Sequence, residues 1–271
     1  PALSDGVSLI PSITASGERQ PSSVYVEFKH GRRTPNYADF HPSHRNRPRG
    51  EMQAIFMEGY KGVRVDIKSH ADAFEIFDVT TDLKETRNLA GTSEYFVGLE
   101  QRMRDRTLQM RRPNADNPRP YDGELVPPVG LEATRPGLSW KAYTGSFPWV
   151  PKFWSKKPDY VGTATGLNVD LGPNKGAIVY SGYIEAPEDG EYLLYLDSSA
   201  RAIVRLHEAL LIDADYGYEG GEIASRIALK SGWHPITVHL LKSGGEEPKL
   251  DIEWSGPSFA RKALATESLV H

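Results

Sequence analysis

The chain contains no cysteine in its 271 residues. That removes thiolate nucleophiles, zinc–thiolate sites and disulfides in one step, and suits a reducing cytosol or a bacterial periplasm equally. It also has little net charge: 32 Lys and Arg against 36 Asp and Glu leave −4, with a pI of about 6.1. A global attraction to nucleic acid or to an anionic membrane is therefore excluded, and any basic site must be local. No apolar run is long enough to cross a bilayer as a helix. The opening PALSDGVSLI has neither an initiator methionine nor a leader pattern, and reads as the interior of a longer chain.

What is present suits packed cores. Hydrophobic residues make up 39% of a chain long enough for two ordinary domains. Short strand signals recur at YVEF (25–28), QAIFM (53–57), YKGVRVDI (60–67) and AFEIFDV (73–79), with GYKG as a tight hairpin signal. From Ser93 the period changes: Tyr95, Phe96, Leu99, Met103 and Met110 recur at helical spacing, while Arg102, Arg104, Arg111 and Arg112 mostly point away. Ser93 suits an N-cap with Glu94 in the first turn, and Pro113 ends the helix. Residues 1–112 are thus expected to form an α+β unit, a small four-stranded antiparallel sheet with one C-terminal helix over about 93–112.

Residues 113–130, PNADNPRPYDGELVPPVG, are rich in proline and nearly aperiodic, as a semi-rigid linker would be. Beyond them, over 131–271, period two dominates. Tyr192, Leu194 and Leu196 alternate with Leu193, Tyr195 and Asp197; Ile236, Val238 and Leu240 alternate with Thr237 and His239; Leu250, Ile252 and Trp254 follow the same rule. Strands buried on one face, separated by PEDG, SGW and SGGEEP turns, predict an all-β sandwich or barrel.

Two resemblances follow from these stretches. DGVSLIPSI (5–13), YVEF, MQAIFMEGYKGVR (52–64) and FEIFDVTTDLKETRNLA (74–90) resemble, in order, the C-terminal subdomain of formylglycine-dependent sulfatases of the alkaline-phosphatase-like superfamily. The second segment resembles the PA14 domain, a β-sandwich, through LSWKAYTG (138–145), SGYIEAPEDGEYLLYLDSSARAIVRL (181–206), LLIDADYG (210–217), LKSGWHPITVHLL (229–241) and LDIEWSGP (250–257). The sulfatase resemblance implies a parent that hydrolyses sulfate esters with a formylglycine and a calcium ion in a separate N-terminal catalytic domain, in a periplasmic or secreted bacterial protein. The formylglycine signature C/S-x-P-x-R and paired aspartates do not occur in this sequence. The expectation is therefore a non-catalytic portion with no cofactor of its own, inactive alone, that contributes a cleft rim and carbohydrate recognition. The rival expectation is a stand-alone glycan-binding module or a structural domain without sugar affinity.

Candidate site residues fall in three groups. The segment KHGRRTPNYADFHPSHRNRPR (29–49) carries Lys29, Arg32, Arg33, Arg45, Arg47 and Arg49 with His30, His41 and His44 against Asp39 alone. Arginine forks pair sulfate oxygens through parallel hydrogen bonds, and the sulfatase resemblance places such a loop at the substrate rim. The bland reading is a solvated loop whose arginines meet carboxylates. GSFPWVPKFWSKKPDY (145–160) interleaves Phe147, Trp149, Phe153, Trp154 and Tyr160 with Lys152, Lys156 and Lys157. This is either a plug for one end of the sandwich or a platform for a sulfated sugar. Asp197, Asp213 and Asp215 are the metal candidates. Calcium-dependent PA14 lectins use adjacent aspartates where this chain has Asp197 followed by Ser198 and Ser199, which puts calcium-mediated sugar binding in doubt. Asp82 and Glu85 are expected to cap a turn, and His234 and His239, an odd number apart, to face opposite sides of a strand and share no metal.

Overall fold

The computed structural model describes residues 13–14, 24–114, 116–132, 134–151, 153, 156–171, 174–245, 247–264 and 268–271. The chain forms two compact units, which meet in sequence at Glu124 and Leu125.

The first unit carries β1 (Val24–Arg33), β2 (Pro48–Met57), β3 (Tyr60–Arg64) and β4 (Glu75–Phe77), an antiparallel meander in sequence order, followed by helix α1 (Glu94–Met110). The β2–β3 turn is made by Glu58 and Gly59, at φ +53° and +86°, so the tight turn sits one step before the expected GYKG and uses a positive-φ pair that suits the sheet's twist. The last strand is only three residues long, shorter than the expected 73–79. Phe74 still enters the core, at 1% exposure. Ser93 caps α1, accepting a hydrogen bond from the Phe96 N–H at 3.4 Å. Leu99 and Met103 seat the helix on Ile55, Phe74 and Ile76, while Tyr95 stays largely exposed and its hydroxyl donates to Glu58 at 3.3 Å. Gly62 makes the close seat possible, since a Cβ there would lie 2.5 Å from the Met103 sulfur.

One end of this core is ionic, a feature the periodicity did not announce. Tyr25 and Tyr121 both donate to Glu27, at 2.7 and 3.0 Å, and Arg111 reaches the same carboxylate at 3.1 Å. Arg119 pairs with Glu51, and buried Arg64 donates to Gln53 at 2.6 Å and stacks 4.5 Å over Phe74. Burial by itself would raise the Glu27 carboxyl, but hydrogen bonds from Tyr25, Arg111 and Tyr121 outweigh it and hold it below the usual carboxylate range. Burial likewise brings the Arg64 guanidinium down to about 10. Part of the proline-rich stretch is therefore packed: Tyr121 is fully buried in this unit.

The second unit contains β5 (Leu138–Thr144), β6 (Tyr160–Ala164), β7 (Gly176–Ala186), β8 (Gly190–Ser198), β9 (Ala202–Leu206), β10 (Ala209–Ala214), β11 (Glu222–Leu229), β12 (Gly232–Lys242), β13 (Leu250–Gly256), β14 (Phe259–Ala263) and β15 (Leu269–Val270). One sheet runs β10-β9-β12-β7-β5-β6, with β15 also on β7; the other runs β11-β8-β13-β14. Of the alternating residues expected to face inward, Tyr192, Leu194, Leu196, Ile236, Val238, Leu240, Ile252 and Trp254 are all at most 5% exposed, while Leu250, at the start of its strand, is only partly buried. At the start of the unit, Val126 and Val129 already pair with Ala228 and Trp233 through backbone bonds of 2.8 and 2.9 Å. The expected class, a small α+β sheet-and-helix unit followed by an all-β sandwich, is the observed one. Among the described residues, no helix is long and apolar enough to cross a membrane.

Candidate functional site

The β1–β2 connection holds the basic cluster, and the structure spends much of it on the loop's own shape. Arg33 donates to the Asn46 carbonyl at 2.6 Å, and Arg45 donates to the Phe40 and Ala38 carbonyls at 2.8 and 2.6 Å. Arg47 pairs with Glu75 at 2.7 Å. His44 is bonded through Nε2 to the Glu85 carbonyl at 2.8 Å, and His41 through Nδ1 to the Ser43 hydroxyl at 2.7 Å. Arg49 lies 6.0 Å over the Phe28 ring, and exposed Arg32 uses only its backbone N–H, toward His30. The loop is thus a braced structure, and of the expected anion-binding arginines it leaves Arg32 with a guanidinium that meets no partner among the described residues. Asp82 behaves as a turn cap: it accepts from the Thr86 and Arg87 N–H groups at 2.7 and 2.8 Å, which lowers its carboxyl. Glu85 pairs with Lys61.

On the second unit, the segment after β5 folds across the outer face of the larger sheet. Val150 and Phe153 are buried, Phe153 stacks on Tyr143 at 4.1 Å, and Phe147 meets Phe153 edge-on at 5.7 Å; Ile203 and Leu241 complete this cluster. Most of its apolar side chains are a plug, laid on a sheet face rather than on an end of the sandwich. Among the described residues Trp149, at 44% exposure, and Tyr160, at 57% on β6, stay outside it. Lys156 lies 5.7 Å over Phe147, and Lys156 and Lys157 are exposed. Lys152 and Trp154, the other expected site residues here, lie outside the described residues.

The aspartates serve separate purposes. Asp197 pairs with Lys249 at 2.7 Å, and the same ammonium approaches Asp251 at 3.3 Å. Asp215, 4% exposed, accepts the Val150 N–H on both carboxylate oxygens, at 3.1 and 3.0 Å. Burial pushes its carboxyl up, the Val150 bond opposing and neighbouring Asp213 adding to the rise. Asp213 accepts the Asp215 N–H at 3.1 Å. Among the described residues, no group of three or more His, Asp or Glu is placed to hold a metal. His234 turns inward, its Nδ1 2.8 Å from Nε2 of His207, whereas His239 packs beside Phe153 on the outer face. Burial brings the His239 imidazole down to about 4.

Around Asp215 three loops are fastened together. Arg201 donates to the Pro148 carbonyl, and the Tyr218 hydroxyl lies 2.9 Å from the Ser198 carbonyl and 2.6 Å from that of Gly221. Between these anchors Tyr216 stands 90% exposed. Tyr216 was not among the residues singled out from sequence; the only signal was its place in the DADYGYEGG turn.

No family model matches this sequence, and no curated protein does. Solved structures do match in part. An anti-sigma factor domain-containing protein from Clostridium clariflavum covers 49% of this chain and 47% of its own at 20% identity, with a TM-score of 0.40. The PA14 domain of the MpAFP antifreeze protein covers 52% and 94% at 16% identity and 0.42. A PA14 sugar-binding domain from an RTX adhesin covers 50% and 98% at 14% identity and 0.42. The chain spans about half the length of the first of these. Likenesses of this depth leave the function to be argued from the residues.

Proposed function

We propose that the second unit is a carbohydrate-binding module, with its site on the loops that follow β5 and β10. One observation carries this reading: among the described residues of the loop after β5, Phe147, Val150 and Phe153 are drawn onto the sheet while Trp149 is held outward. A flat ring on a fastened backbone offers a sugar's apolar C–H face a surface at little entropic cost. The PA14 resemblance of residues 138–257 supports the same class of ligand. Calcium has no part in this reading, because Asp197 is already engaged by Lys249. The test is binding of the full chain to immobilised glycans, with Trp149→Ala as the paired variant. Retained binding by that variant, or no binding by the parent chain to any glycan, defeats the reading.

A second reading concerns the first unit: the C-terminal subdomain of a sulfatase, whose partners are an N-terminal catalytic domain that holds the calcium and a sulfated carbohydrate or other sulfate ester, in a periplasmic or secreted protein. The four-strand meander in the expected order, closed by a helix capped at Ser93, favours it. Arg32, exposed and with no side-chain partner among the described residues, is then the loop residue we assign to sulfate. A coding sequence upstream of Pro1 without a C/S-x-P-x-R motif would remove this reading.

A further inference from the structure

We propose that Trp149 and Tyr216 form one two-ring platform for an uncharged pyranose, registered by Asp215, which acts as a positioning residue, with Asp213 as acceptor for sugar hydroxyls. This rests on the reading of the second unit as a carbohydrate-binding module and names its ligand class. The bond between the Val150 N–H and the Asp215 carboxylate ties the two loops at 3.0 Å. Trp149 immediately precedes one partner and Tyr216 immediately follows the other, so their Cα atoms fall within roughly 10 Å of each other, a span that one sugar ring and two aromatic side chains can fill. Both rings are exposed, at 44% and 90%, and both sit on backbone that is pinned rather than free. On the Trp149 side the pins are Arg201 to Pro148 and the buried Val150. On the Tyr216 side they are Asp215 and Tyr218. A solvent-bare tyrosine is unremarkable by itself; two large rings on loops joined by a buried carboxylate are a shaped surface.

The charge beside the platform sets the ligand class. Asp213 is exposed, and only one of its carboxylate oxygens is used, by the Asp215 N–H, among the described residues. Its other oxygen can accept from sugar hydroxyls through charge-assisted bonds, and the same carboxylate repels a sulfate set against it, while the nearby Arg201 is engaged by the Pro148 carbonyl. This departs from the sulfated ligand expected from the lysines of 145–160.

The experiment uses the full chain on an array of neutral oligosaccharides of glucose, galactose, mannose, xylose and fucose, beside heparin and dextran sulfate. Titration of the best neutral glycan against Trp149→Ala, Tyr216→Ala, Asp215→Ala and Asp215→Asn follows. We expect neutral binding that survives EDTA, weakened on the order of tenfold by either ring deletion. Asp215→Ala should weaken it comparably, and Asp215→Asn, whose single amide oxygen still accepts the Val150 N–H, should restore most of it. Binding confined to sulfated glycans, loss with EDTA, or loss with Trp149→Ala but full affinity with Tyr216→Ala would overturn the platform. The last result would leave the carbohydrate-binding reading standing; no binding to any glycan by the parent chain would remove both.

Discussion

Replacing Glu27 with alanine strikes the ionic end of the first unit's core. The carboxylate receives Tyr25, Tyr121 and Arg111, and the Arg111 side chain is only 4% exposed. Removal of one member of a fully buried pair costs about 3–5 kcal/mol, because the surviving charge is left without compensation. Two facts reduce that figure here: Glu27 keeps 24% of its side chain in solvent, and Arg111 retains Asp122 at 2.5 Å. The lost tyrosine bonds add about 1 kcal/mol each at most, and Tyr121 keeps Glu51 at 3.2 Å. The expected loss is therefore about 2–3 kcal/mol, against under about 1 kcal/mol for Arg102→Ala, which breaks the exposed pair with Glu58. Two probes separate the units in a urea titration. All five tryptophans lie at positions 140 to 254, in the second unit, whereas α1 supplies the helical signal at 222 nm from the first. Glu27→Ala should shift the 222 nm transition and leave the tryptophan fluorescence transition in place. The same carboxyl sets a pH signature. Its folded pKa lies below the unfolded value of about 4.3, so its contribution is present above about pH 5 and drains away as pH falls through the folded pKa. A loss below about 0.5 kcal/mol, or no difference in acid sensitivity between parent and variant, would refute the network as a stabilising element.

Phe153→Ala should cost the second unit about 3 kcal/mol by tryptophan-detected urea unfolding, since the ring is 7% exposed and stacked on Tyr143; a cost under about 1 kcal/mol would mean the plug is loosely seated. Millimolar calcium should leave the thermal midpoint unmoved, because Lys249 already sits between Asp197 and Asp251 and pairs with both, and a rise of several degrees would contradict that. On the sheet face away from α1, Val24, Val26 and Phe28 are 47%, 51% and 51% exposed beside the partly exposed Met52, Ala54 and Phe56. Self-association by light scattering, or protease cleavage within residues 1–50, is expected from such a patch. A strict monomer that also resists protease there would count against it.

The elements were legible from local pattern. Alternation over 192–196 and 236–240 marked strands with one buried face, and the change of period after Ser93, with a capping hydroxyl and a terminating proline, marked the helix. These signals are local because strand and helix periods repeat within a few residues. The contacts that shape the candidate site and the ionic core are not local. Asp215 meets Val150 across 65 positions, Arg111 meets Glu27 across 84, and Tyr121 meets Glu27 across 94. Read in sequence, Asp215 was one of several acidic residues in a turn, Arg111 one of several arginines on a helix, and Tyr121 part of a linker. The fold alone decided that one aspartate would be buried under a backbone N–H and leave Trp149 and Tyr216 in the open. It likewise decided that the basic loop would turn several of its arginines inward, because a carbonyl or carboxylate within reach is a property of the packed chain and has no periodicity to betray it.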